Sequence, residues 1–213
     1  MTMGLIYHYD QQGSPEWLEA RRGVITGSRF RDCRDKLKSG QPSKACMSYA
    51  MDVARERLGG KAADKFANAA MRVGTEQEPF ARAAYERRTG NLVDEAGFIK
   101  TIDTKFGCSV DGLVGNDGVI EIKTMVSSDT LFRAVVESDL SDYLDQCNGA
   151  MWLLHRKWCD LVLWAPDLEP IGRHLTIHRI ERDDNAIESL ESDLLDFERT
   201  VTRYENLLRK EAA

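Results

Sequence analysis

Two acids and an amine, Asp111, Glu121 and Lys123, fall in a D-x9-E-x-K pattern. Carboxylate oxygens hold hard divalent cations such as Mg²⁺, which keep several waters and take the rest of their shell from phosphate. A cation held there lowers the pKa of water and neutralises charge on a phosphoryl centre. The lysine adds a point charge that can hold or deprotonate an attacking water. The same three residues also suit a plain solvent-facing hairpin with a cross-strand ion pair, worth about a few tenths of a kcal/mol. A calcium loop is excluded, because D-x-[DN]-x-[DN]-G does not follow Asp111.

The chemistry requires the three side chains to share a face. Between them lies Gly115-Asn116-Asp117-Gly118, flanked by alternating apolar and polar residues, which reads as a β-hairpin. A three-residue loop at 116–118 suits a type I turn with Gly118 left-handed. That register sets residue 115 opposite 119 and Asp111 opposite Lys123. Asp111, Glu121 and Lys123 then share one face, with Val119, Ile120 and Ile122 turned the other way. A two-residue loop would instead move Asp111 to the Ile122 side.

The 213 residues, 42% hydrophobic and 30% charged, fit one domain with a sizeable core. No apolar stretch reaches membrane-span length, and the first residues show no basic-then-apolar export signal. The five cysteines (33, 46, 108, 147, 159) contain no C-x-x-C pair. Reduced thiols in a cytoplasmic protein are expected, and a zinc ribbon or iron–sulfur site is not. A net charge of −6 counts against a non-specific DNA-coating protein. The charge is uneven, however. Residues 21–44 carry eight Lys/Arg against two Asp, whereas 181–213 carry ten Asp/Glu against five Lys/Arg. The acidic segment is expected to be a solvated helix face.

Ser14-Pro15 opens a helix that Gly23 ends. Thr26-Gly27-Ser28 caps a second one, and such an N-terminus attracts anions; on sequence, plain capping is the better reading of Thr26 and Ser28, but it does not account for Arg21. Lys38 sits in a loop of the basic region, as a phosphate contact or a free surface lysine. A helix from Ser43 to about Leu58 carries Met47, Ala50, Met51, Ala54 and Leu58 as its core stripe. Residues 68–88 form a helix ended by Gly90, with Pro79 kinking it or restarting it. Strands are expected at 92–99, 105–113, 119–124, 158–164 and 173–180, and helices at 127–136 and 142–155. The tryptophans at 152, 158 and 164 read as core, and the four histidines as structural or surface. The last helix, 184–210, presents a narrow seam of Ile187, Leu190, Leu194, Phe197, Val201, Tyr204 and Leu208. It packs on its own domain or on a second subunit.

The D-x9-E-x-K set resembles the core of the PD-(D/E)XK nucleases. Four further segments resemble the bacteriophage lambda-type exonucleases, also called YqaJ-type viral recombinases or alkaline exonucleases. They are WLEARRGVITGS at 17–28, GTEQE at 74–78, SVDG at 109–112, and YLDQ at 143–146 before Met151-Trp152. Their order and spacing fit across roughly residues 14–180. The usual Ser-Pro-Asp stands here as Ser-Val-Asp, which loses rigidity but no ligand.

The resemblance implies an α/β fold: a central mixed β-sheet flanked by helices, with a restriction-endonuclease-like αβββαβ core, in one nuclease domain over 1–213 with helical additions at both ends. It implies 5′-to-3′ exonuclease activity on duplex DNA, dependent on two Mg²⁺ ions that Mn²⁺ can replace, giving 5′ mononucleotides and a 3′ overhang. Asp111 would bridge the ions, Glu121 and the Ile122 carbonyl would complete one site, and Glu78 would support the other. Glu76 is Glu78's nearest rival. Lys123 would orient or activate the water, with Gln146 and Tyr143 at the rim. Arg21, Thr26, Ser28 and Ser109 would grip the 5′-phosphate. Lys38, Arg133 and Met71 are candidate DNA contacts, Met71 alternatively core. A ring-shaped homotrimer, a single-strand annealing recombinase as partner, and a phage or prophage origin in the bacterial cytoplasm are also implied. The alternatives are another PD-(D/E)XK nuclease, such as an endonuclease or repair nuclease, and a non-catalytic DNA-binding module on this fold.

Overall fold

The structure, a computed structural model, describes residues 4–61 and 69–210. In chain order its elements are β1 (Leu5–His8), α1 (Pro15–Arg21), β2 (Ile25–Thr26), α2 (Phe30–Cys33), α3 (Lys44–Arg57), α4 (Ala69–Thr89), β3 (Phe98–Thr101), β4 (Phe106–Ser109), β5 (Gly112–Val114), β6 (Gly118–Thr124), α5 (Ser128–Leu131), α6 (Ser141–Leu154), β7 (Trp158–Trp164), β8 (Leu175–Glu181) and α7 (Asp184–Lys210). The chain divides into two compact units. The first holds the described residues of Met1–Asp64, Gly97–Ser109 and Asp183–Ala213; the second holds those of Lys65–Ala96 and Val110–Arg182. Each unit has a mixed four-stranded sheet with helices, in place of the expected single sheet.

The first unit orders its strands β1-β3-β4-β2, with only the β2–β4 pair parallel. Helix α1 starts as its residues dictate: the Ser14 hydroxyl accepts from Trp17 N at 3.1 Å, and Pro15 occupies the first turn. In α3 the Ser43 hydroxyl likewise accepts from Cys46 N. The buried stripe of α3 is Cys46, Tyr49, Ala50, Val53 and Ala54; Met51 is exposed and Met47 and Leu58 are half-buried. The buried stripe shares only Ala50 and Ala54 with the expected one and is turned by about a quarter of the helix circumference, toward Cys46, Tyr49 and Val53.

Helix α7 spans the expected residues and buries Ile187, Leu190, Leu194, Phe197 and Val201 against its own unit, where Tyr49 meets Phe197 at 5.3 Å. Its acids are not all solvated. Asp193 pairs with Arg34 and Lys36 at 3.0 Å each. Glu198 is buried and takes both terminal nitrogens of Arg57, at 3.0 and 2.9 Å. The same arginine donates to Glu205 and to the Gly23 carbonyl. Part of the basic stretch is thus neutralised within its own unit. All five cysteines are buried.

The second unit orders its strands β5-β6-β7-β8, with β6–β7 parallel. Helix α4 runs unbroken through Pro79 to Thr89, and Gly90 follows at φ +75°; position 68, the expected start, lies outside the described residues. Ala81, Ala84 and Tyr85 of α4 pack on Ile120, Ile122, Val162 and Trp164. On the opposite face of the sheet, α6 brings Gln146 to Glu121 and Lys123. Asp160, 1% exposed, is held by Arg179 and by the Tyr85 hydroxyl at 2.7 Å, and the Arg179 guanidinium stacks on Trp158.

Two expected strands change. Residues 92–97 are irregular apart from a bridge at Asp94, and 105–113 breaks at Val110-Asp111 into β4 of one sheet and β5 of the other. The segment after Ser127 is a short helix followed by a π-helical stretch, Phe132–Val136.

Candidate active site

The hairpin pairs Gly112 with Ile120, Leu113 with Val119 and Val114 with Gly118. Its loop is Gly115-Asn116-Asp117, one residue earlier than expected. The left-handed residue is Gly115 (φ +52°), not Gly118. Gly118 is required for a different reason: a Cβ there would lie 2.1 Å from the Trp158 ring. Because both strands shift by one, the loop still has three residues and the parity survives. Asp111 extends toward Glu121 instead of Lys123. Ile120 and Ile122 face α4 as expected, whereas Val119, buried but absent from that cluster, alternates onto the Glu121 side.

Asp111 sits where the β5 ladder has ended. Its Oδ2 accepts from Ile122 N at 2.6 Å, taking a donor that β5 no longer pairs. A strand residue projects its N–H and C=O to the same edge, so the Ile122 carbonyl faces the Asp111 side. Glu121 is buried, and Lys123 Nζ lies 2.8 Å from its Oε1. Gln146 closes a triangle, accepting from Lys123 at 3.0 Å and donating to the same Glu121 Oε1 at 2.5 Å. Neither group uses Glu121 Oε2.

The electrostatics are those of crowded acids. Burial pushes the Asp111 carboxyl well above the usual range, and the charges of Glu121 and Glu78 push it further. Glu78 is raised by burial, against the pull of Arg82, with Glu121 a smaller contribution in the same direction. Burial opposes the Lys123 charge, yet Glu121 and Asp111 hold it above the ordinary lysine value, so it is an ammonium. Burial raises Tyr143, one helical turn from Gln146, and Lys123 partly offsets it. Of the two rival glutamates, it is Glu78 whose charge acts on Asp111; Glu76 is exposed.

This donor set fits a hard cation. The charges of Glu121 and Glu78 both oppose that of Asp111, a repulsion that a divalent ion relieves, and all three side chains offer oxygen. Among the described residues no group of three or more His, Cys, Asp or Glu side chains is placed to hold a metal ion by itself. Mg²⁺ keeps much of its own water and takes few ligands from protein.

In the first unit, Arg21 Nη1 donates to Ser109 Oγ at 3.2 Å, and its guanidinium lies 4.2 Å from the Trp17 ring centroid and 5.1 Å from that of Phe98. Among the described residues no carboxylate ion-pairs with it. Burial accordingly lowers its pKa. A partly buried cation lacking an acid partner is suited to an anion. Thr26 and Ser28 do not form the expected helix-terminal site. Thr26 is buried with its backbone N–H donating to the Tyr49 hydroxyl, Ser28 is exposed, and only short helical turns follow.

Of the remaining candidates, Lys38 and Met71 are exposed, so Met71 is not core. Arg133 is engaged by Asp139 at 2.7 Å and Asp142 at 3.3 Å. Sequence reasoning missed Arg82, which binds Glu78; its spacing of four residues on one helix was the available signal.

The fold and this acid–acid–lysine set define a protein of the PD-(D/E)XK type. The profile of the YqaJ-like viral recombinase domain matches residues 16–156. The alkaline exonuclease LHK-Exo from Laribacter hongkongensis is 35% identical, over 93% of this chain and 98% of that one, with a TM-score of 0.80. A second structure, LHK-Exo in complex with dAMP, matches with the same identity and coverage at a TM-score of 0.81. A phage-related exonuclease from Haemophilus somnus 129PT shares the fold at 18% identity, over 89% of this chain and 96% of that one, with a TM-score of 0.68. No match is found among curated proteins. The chain belongs to the YqaJ-like viral recombinase domain family.

Proposed function

We propose that this protein is a Mg²⁺-dependent exonuclease that degrades duplex DNA from its 5′ ends, releasing 5′ mononucleotides and leaving a 3′ overhang for single-strand annealing. The observation that carries the reading is the convergence of Asp111, Glu121, Lys123 and Gln146 beside Glu78. The relative solved with dAMP supports a nucleotide-sized product. Asp111 would bridge two ions, Glu121 and the Ile122 carbonyl would hold one, and Glu78 the other; Mn²⁺ could substitute. Bound there, the ions supply an activated water and neutralise charge on the attacking and leaving oxygens.

The chain's own residues do the rest. Lys123 orients the water as a cation, and Gln146 fixes both Lys123 and Glu121 through one amide. Tyr143 lies at the rim, and Lys38 and Met71 are exposed candidates for the duplex. Arg21 with Ser109 receives the 5′-phosphate, Thr26 and Ser28 contributing less. A homotrimeric ring, an annealing recombinase partner and a cytoplasmic phage or prophage setting accompany this reading. Among the described residues no helix is long and apolar enough to cross a membrane.

Incubation of linear and covalently closed circular duplex with Mg²⁺ or EDTA tests the reading. Degradation of the linear form alone, in Mg²⁺ alone, is expected. Cleavage of the circle would make it an endonuclease, and intact DNA throughout would make it a binding module. Arg21→Ala is expected to lower the preference for 5′-phosphorylated over 5′-hydroxyl ends roughly tenfold or more, the value of a charge-assisted hydrogen bond. Rates on the two duplexes measure it, and a preserved preference would move the phosphate site elsewhere.

A further inference from the structure

Arg82 lies one helical turn beyond Glu78 on α4, with its side chain 14% exposed. Its Nη2 donates to Glu78 Oε1 at 2.5 Å, and its Nη1 to Glu95. Its Nε is buried and has no partner among the described residues. A buried donor left unpaired works against folding. The Glu95 pair offers little in return, since Glu95 is 78% exposed. What the arrangement secures is the hold on Glu78.

That hold is directional. Arg82 takes one carboxylate oxygen and leaves Oε2. The Glu78 charge acts on Asp111, and the Glu121 charge acts on Glu78. Without Arg82, burial and two nearby acids would turn Glu78 toward solvent. A guanidinium cannot lose its proton and presents a fixed fork, so it holds this orientation at any working pH.

We propose that Arg82 is a positioning residue that aims the free oxygen of Glu78 at the cation site and so sets divalent-ion affinity. The inference rests on the cation-site reading of Asp111, Glu121 and Glu78.

Titration calorimetry with Mn²⁺ in the absence of DNA tests it. The chains compared are wild type, Asp111→Ala, Glu78→Gln, Arg82→Gln, Arg82→Lys and the Arg82→Gln/Glu78→Gln double variant. Wild type should bind Mn²⁺ and Asp111→Ala should lose it; if wild type shows no Asp111-dependent binding, the cation-site reading itself falls, and the inference with it. Arg82→Gln should bind 10–100-fold more weakly, the usual effect of removing a partner that orients a ligand. The double variant should bind no more weakly than Glu78→Gln, and Arg82→Lys should be intermediate. Wild-type or tighter affinity in Arg82→Gln would overturn the proposal while leaving the cation site standing. If Arg82→Gln does not fold, wild-type affinity in Arg82→Lys overturns it equally.

Discussion

Lys123→Ala should lower the single-turnover rate on linear duplex by roughly 10²–10⁴-fold, the range for a group that positions or transfers the proton of a nucleophile, while duplex affinity is retained. The ammonium lies 2.8 Å from Glu121 Oε1 and 3.0 Å from Gln146 Oε1, so its removal takes the donor from the water's position and leaves the triangle with Gln146 alone. It also leaves Glu121, 4% exposed, without its cation. Some stability should therefore be lost in EDTA and recovered in Mg²⁺. Rapid-quench kinetics with anisotropy on the same duplex separate the two effects. An unchanged rate would remove the lysine from the mechanism; equal losses of rate and affinity would make it a binding residue.

Glu198→Ala should destabilise the protein by about 3 kcal/mol, the lower part of the range for removing one partner of a buried ion pair. Glu198 receives two bonds from Arg57 and one from the Thr202 hydroxyl at 3.2 Å. Arg57 is 16% exposed and would keep only Glu205 and the Gly23 carbonyl. The surviving Glu205 bond is the reason for the lower part of the range. A shift of the urea midpoint at constant m-value measures it. A change below about 1 kcal/mol would show that solvent compensates Arg57, as at a surface pair.

These two residues mark the extent of what local pattern can reveal. Lys123 and the acids were found because strand alternation is local, and the hairpin parity survived a one-residue error at each end. The error arose because Gly115 and Gly118 both look like turn residues. The choice between them is made by the Trp158 ring, forty residues away in sequence. The bounds of helix α7 were legible from its apolar seam, although Leu208 at the end of that seam is exposed, but the burial of Glu198 depends on Arg57, 141 positions distant. The run 105–113 looks like one strand because each half is apolar. Its halves pair with Phe98 and Ile120, in different sheets, and the bend between them sets Asp111. Thr26 and Ser28 carry capping chemistry, yet the following chain forms only short turns, and Thr26 packs against Tyr49 instead.

The most direct measurement follows a blunt linear duplex labelled separately at its 5′ and 3′ ends, with Mg²⁺ or EDTA. The 5′ label should appear first, as a mononucleotide, only in Mg²⁺, while the 3′-labelled strand persists as a single-stranded overhang. Earlier release of the 3′ label, or release of either label in EDTA, would contradict a cation-dependent 5′-end nuclease built on Asp111, Glu121 and Lys123.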